Sequence, residues 1–338
     1  MYSVYNNVLP LFEEKEDYSR PFVTYAIIKN YTLAQRPTAY TYGNNIFFAT
    51  TDGFFYFYET YKKWYYYNNI FDMPIITGAG KYLGVWQPSS YNFTIYNSYH
   101  GLTYYRNTHG LPILYLTINS YGYVAIILEN YDVYDIYVYS PNSYVVFNTT
   151  ISGEGIFPTG ISLGYGFFAI SLMDTSHIGI TSNVILFDIE SNSVVGSTNT
   201  TVGIISNIHF AEDRVVIIYS NNIKVVDKNL TVLWYINIYV DDIIIKNETI
   251  VLLVDSDVIF LTLQGKELYT HTHLYPITFF THSHGYVIIG NGHRFIARNY
   301  SHVLWEFVSI PYPLGLYFLG DVNTVLLLTE IEAILLQR

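Results

Sequence analysis

Cysteine is absent from this chain of 338 residues. That excludes disulfides, thiolate nucleophiles and cysteine-based zinc sites, while leaving the compartment open. Charge is scarce too. Asp, Glu, Lys and Arg make up 13% of the residues, with 27 acidic against 16 basic. A net charge of −11 leaves no basic surface to displace the counterions of a nucleic-acid backbone. Helix formers such as Ala, Lys and Glu are few. Long apolar runs are missing as well: the most apolar window, 249–263, is interrupted by Asp255, Ser256 and Asp257, so no transmembrane segment is expected. The opening MYSVYNNVLPLFEEKEDYSR has no basic start followed by an apolar core and does not read as a signal peptide. Residues 1–21, with their charge run at 13–17, read as a solvated N-terminal arm.

What is abundant is tyrosine, 37 residues, within an aromatic content of 18%. Tyr, Ile, Val, Phe and Thr suit a pleated, half-buried surface, so composition predicts an all-β protein.

The order of the strands is periodic. In 214–238, RVVIIYS, a polar turn at Asn221–Asn222, an apolar run to Asp227, a second turn and then VLWYINI alternate strand and turn. Further copies start at Asn45, Thr249 and Gly285, and looser ones at Lys81, Gly122 and Gly166. A last copy from Thr324 stops after two strands. Asp-Gly at 52–53, between two β runs, is a tight-hairpin signal. Each complete copy is preceded by one more short β run, which makes four strands per unit, at spacings typical of propeller blades. Counting predicts seven complete units and one composite, hence eight blades, or seven if the unit at 75–107 is irregular. A closed ring requires the unfinished last unit to find an outer strand. The spare run at 22–29, FVTYAIIK, is expected to supply it, so that 22–338 form a single domain. A β-sandwich is the alternative.

These copies, with Trp64, Trp234 and Trp305 at similar places in three units, resemble the broad β-propeller group, especially its quinoprotein-like and WD40-like repeats. The signatures of particular propeller families are missing. The resemblance therefore implies architecture and carries no functional residue across.

Histidine is the most suggestive residue for chemistry. THTH and THSH place His271 with His273, and His282 with His284, two residues apart, which on a strand puts both imidazoles on one face. These four are the candidate metal ligands. Strand geometry predicts that the two pairs lie on opposite faces of the disc, and structural histidines are the competing reading. The acidic pairs Asp241 and Asp242, Asp255 and Asp257, and Asp132 and Asp135 fall at strand ends, where Asp caps its own backbone. No catalytic residue and no cofactor is expected. Sequons for N-glycosylation occur at Asn30, Asn92, Asn148, Asn199, Asn229, Asn247 and Asn299, a mild excess over chance.

Few charges, abundant Tyr, Asn, Thr and Ile, no Cys and several sequons resemble in composition the exterior proteins of thermoacidophilic archaea and their viruses. On that basis the expected function is a non-enzymatic binding module on a virion or cell surface. It would engage a protein or glycan partner through the loops of one disc face, and assemble with other virion or surface proteins. An intracellular (cytoplasmic) protein-interaction scaffold and a hydrolase, lyase or metal enzyme with a site at the central channel are the alternatives.

Overall fold

The computed structural model describes residues 23–29, 38–43, 45–49, 53–58, 63–68, 71, 74–99, 101–176, 178–198, 201–246, 248–274, 276–283, 286–308, 314–319, 321–329 and 332–337. These residues are all-β, with no helix among them. They form eight sheets that follow one another along the chain. Blade I covers 38–68, II 75–107, III 113–152, IV 156–202, V 205–236, VI 242–272, VII 279–308, and VIII 315–337. Blades I to VII are each built from consecutive antiparallel strands, blade IV with its outer strand in two pieces. Blade VIII takes its fourth strand, Val23–Lys29, from the other end of the chain. The strand expected to close the ring thus does so. The arm at 1–21 lies outside the described residues.

The first strand of each blade packs beside the first strand of the next, and that of blade VIII, Gly315–Leu319, returns to that of blade I, Thr38–Tyr42. This closes the sheets into a ring. Position in the blade sets burial. Second strands are covered by neighbouring blades on both sides and read as unbroken apolar runs. Val124–Leu128, for example, and Val215–Tyr219 are buried throughout. Outer strands face solvent, as Ser193–Ser197 does.

Neighbouring blades interlock through aromatic rings set against glycines. Tyr40 of blade I lies over Gly78 of blade II and donates its hydroxyl to the Gly80 carbonyl at 2.6 Å. Phe210 of blade V covers Gly164 of blade IV. At the junction of blades VIII and I, Leu319, Leu326, Leu328, Ala333 and Leu335 pack on Ile46 and Phe48, with Tyr317 beside them.

A β-bulge recurs on the outer strands. In blades II to VII the pairing of third and outer strands skips one residue next to the turn that joins them: Thr103, Val146, Val195, Leu233, Leu268 and Leu304. The composite blade VIII has its own shift, at Tyr25. Such bulges twist an edge away from flat pairing with another sheet. Five of the six residues that follow the bulge in blades II to VII are aromatic, and several reach the next blade. Phe147 meets Phe168 and Phe187 of blade IV edge to face. The Trp234 indole donates to the Leu263 carbonyl of blade VI at 2.9 Å, and Trp305 meets Phe318 of blade VIII. Trp64, in the blade without a shift, holds the same second pairing position from the turn.

Candidate binding face

Because successive strands are antiparallel, the first and third turns of every blade share one face of the disc. The second turns and the crossovers between blades share the other. The first-turn face carries an arc of exposed tyrosines: Tyr99 in blade II, Tyr121 and Tyr144 in blade III, Tyr165 in blade IV. Tyr121 and Tyr165 pack ring against ring at 4.8 Å between centroids, and Tyr99 meets Tyr42 edge-on at 6.0 Å. The turns are held rigidly. Asn119 Oδ1 accepts the Tyr121 and Tyr123 N–H groups, and its Nδ2 donates to the Gly164 carbonyl at 2.8 Å. The opposite, crossover face presents single apolar tips such as Tyr131, Ile178, Tyr239 and Leu274, from different turns and crossovers.

Farther round the first-turn face two cavities adjoin. One, of about 620 Å³, opens between blades V and VI and is lined by Phe210, Glu212, Lys246, Glu248 and Thr249 among others. The other, of about 210 Å³, lies between blades VI and VII. Lys246 and Thr249 belong to both. In the smaller one Lys246, Thr249, His282, Asn299 and Tyr300 supply polar groups, over apolar Val251, Phe260 and Val287. Desolvation against these walls pushes the Lys246 ammonium below the ordinary lysine range.

Of the histidine candidates, His271 and His273 are not brought together with His282. His271 lies opposite Val258, and the His273 N–H binds the Ser256 carbonyl at 2.8 Å, beside the second turn of blade VI on the crossover face. His282 lies opposite Val287, beside the first turn of blade VII and in the small cavity. His284 lies outside the described residues. The rings of His271 and His273 are 6.1 Å apart and edge to face. Burial first, then the charge of Arg298, holds the His271 pKa below its usual value. A neighbouring guanidinium disfavours an added cation. Among the described residues no group of three or more His, Asp or Glu is placed to hold a metal ion.

The acidic pairs act largely on their own turns: the Asp241 carboxylate accepts the Asp255 N–H at 2.6 Å, and Asp135 accepts from Thr150 and Asn130. Four of the seven sequon asparagines are described. Asn148, on an outer strand, and Asn229, in a turn, are exposed. Asn92 and Asn299 are half-buried, their side-chain oxygens held by hydrogen bonds. Asn30, Asn199 and Asn247 lie outside the described residues.

Lys246, Thr249 and Tyr300 were not legible as site residues. The only sequence sign at Lys246 is a cation ending the apolar run 243–245, and nothing local says that a turn from the next blade stands opposite.

The closed ring of radial four-stranded sheets defines a β-propeller. The chain belongs to a family of unknown function, DUF5711, whose profile matches residues 18–234. No curated protein matches it in sequence. Similar solved structures are themselves propellers in fold. The Dos1 propeller is 11% identical, with 96% of each chain covered and a TM-score of 0.63. BamB from Moraxella catarrhalis is 11% identical over 94% of this chain and 100% of that one, at 0.56. BBS1N, solved in complex with ARL6DN, is 12% identical over 94% and 96%, at 0.53. At these identities the likeness concerns the fold alone.

Proposed function

We propose that this protein is a non-enzymatic binding module that engages a protein or glycan partner through its first-turn face, on a virion or cell surface. The observation that carries the reading is the tyrosine arc of blades II to IV. Tyr presents large contact area with a polar tip and few rotatable bonds, which favours interfaces and sugar stacking. Rigid turns beneath it lower the entropy lost on binding. A similar propeller is solved in complex with another protein, which supports a protein partner. The exposed Asn148 and Asn229 and the low charge support a location outside the cell.

The test has two arms. The purified chain, and a Tyr121→Ser/Tyr165→Ser variant, are screened against a glycan array and candidate surface proteins. Binding that the variant loses about tenfold or more supports the reading, at about 1–2 kcal/mol for each ring removed from a contact. Intact-mass measurement on the native protein, with fractionation of virions and cell surfaces, tests the location. A chain confined to the cytoplasm without glycans favours an intracellular scaffold instead. Catalytic turnover, or a metal lost in a His271→Ala/His282→Ala variant, favours the enzyme reading.

A further inference from the structure

The smaller cavity is ringed by donors that lack acceptors. Lys246, Thr249 and Tyr300 make no side-chain hydrogen bond or ion pair among the described residues, and all three line it. Asn299 is oriented by its turn. Its Oδ1 accepts the Ser301 N–H at 2.8 Å, the Ser301 hydroxyl at 2.9 Å and the His302 N–H at 2.9 Å. Its Nδ2 is thereby left to donate. Among the described residues no carboxylate lines this cavity, whereas Glu212 and Glu248 line the larger one on the other side of Lys246. One layer in, the walls turn apolar: Val251, Phe260 and Val287 are 1–3% exposed.

We propose that this cavity takes a carboxylate carried on a short apolar stem, the carboxylate at Lys246, Thr249, Asn299 and Tyr300, the stem on Val251, Phe260 and Val287. The Lys246 side chain is exposed at one end of its strand and has no counter-ion among the described residues, so it can reach an anion in the cavity, and charge-assisted hydrogen bonds from several donors fix the anion's orientation. The apolar layer then rewards a hydrocarbon attached to the anion over a bare ion. Such a group comes either from a free short-chain acid or from the C-terminal residue of a peptide. The site lies on the face assigned above to partner binding, but it does not depend on that assignment. It also makes Asn299 a poor glycan acceptor, since a sugar would occupy the Nδ2 it uses.

The experiment is calorimetric titration of the full chain with 4-methylpentanoate, 4-methylpentanamide, N-acetyl-Gly-Leu, its amide, and inorganic phosphate. At least one of the two acids binds, and its amide and phosphate bind at least about tenfold more weakly. Lys246→Gln weakens that acid about tenfold or more, as expected for loss of a charge-assisted contact, and Tyr300→Phe weakens it less. A preference for the free acid assigns a small-molecule ligand, and a preference for the dipeptide assigns a chain terminus. Absence of binding by either acid, equal binding of acid and amide, phosphate binding as tightly as the acid, or a Lys246→Gln variant of unchanged melting temperature and affinity overturns the proposal.

Discussion

Val23 stands opposite Gln337 across an antiparallel ladder, so the two ends of the described chain share one sheet. The ladder continues through Ile27 and Ile334 to Lys29 and Glu332. Without it blade VIII would end in an open edge, the template for pairing with another chain. Deleting residues 1–29 is expected to lower the thermal midpoint and produce concentration-dependent association, measured by calorimetry and gel filtration. A peptide of residues 22–30 added in trans should restore the midpoint in a saturable way, as any ligand specific to the folded state does. A truncated chain that melts like the full one would remove the closing role of this strand.

Trp305 is 2% exposed and fills the space between blades VII and VIII. Its replacement by Ala should cost about 3–5 kcal/mol in urea unfolding. Trp234→Phe keeps an aromatic ring but loses the indole donor to Leu263. That change should cost about 1 kcal/mol from the hydrogen bond, plus the loss from the smaller ring.

Gly122 sits in the first turn of blade III at φ +88°, and a Cβ there would come within 2.7 Å of the Tyr82 ring. Gly122→Ala is expected to cost about 1–3 kcal/mol from backbone strain and crowding. Tyr82→Leu should relieve only the crowding part, so the double variant recovers a fraction of that loss in a double-mutant cycle.

Stability should narrow at both ends of the pH scale. His209, on the first strand of blade V, is held below the usual histidine pKa by burial. The unfolded chain therefore takes up its proton first, and stability falls as pH drops below about 6.5. Tyr317, at the junction of blades VIII and I, is pushed up to about 12 by burial, partly offset by a hydrogen bond with the Ala39 backbone. Its phenol ionises first in the unfolded chain, so stability is lost between about pH 10 and 12. His209→Gln should flatten the acid limb, and Tyr317→Phe the alkaline one, in unfolding curves taken against pH.

Much of the fold was legible because its signals are local. The runs RVVIIY, TIVLLV and YVIIGN announce second strands through unbroken hydrophobicity, and Asn221–Asn222 and Gly292 mark the turns between strands. The closing strand at 22–29 followed from strand accounting alone. The bulges were not legible, since skipping Val146 or Leu233 leaves no break in an apolar outer strand. Nor was the cavity around Lys246. The His-x-His spacing is a local pattern, yet the turn geometry puts His271 and His273 on one face and His282 on the other.

The amino-acid sequence alone determined that the chain is β-structured and repetitive, with an incomplete last unit that needs a strand from elsewhere. Hydrophobic periodicity and turn residues act over a few positions and survive in any arrangement of the sheets. Only the tertiary structure decided that Lys246, His282 and Tyr300, from two blades, face one cavity, and that tyrosines of three blades form one arc. Those proximities depend on the angular order of the blades and on which turns share a face, and both are set by ring closure.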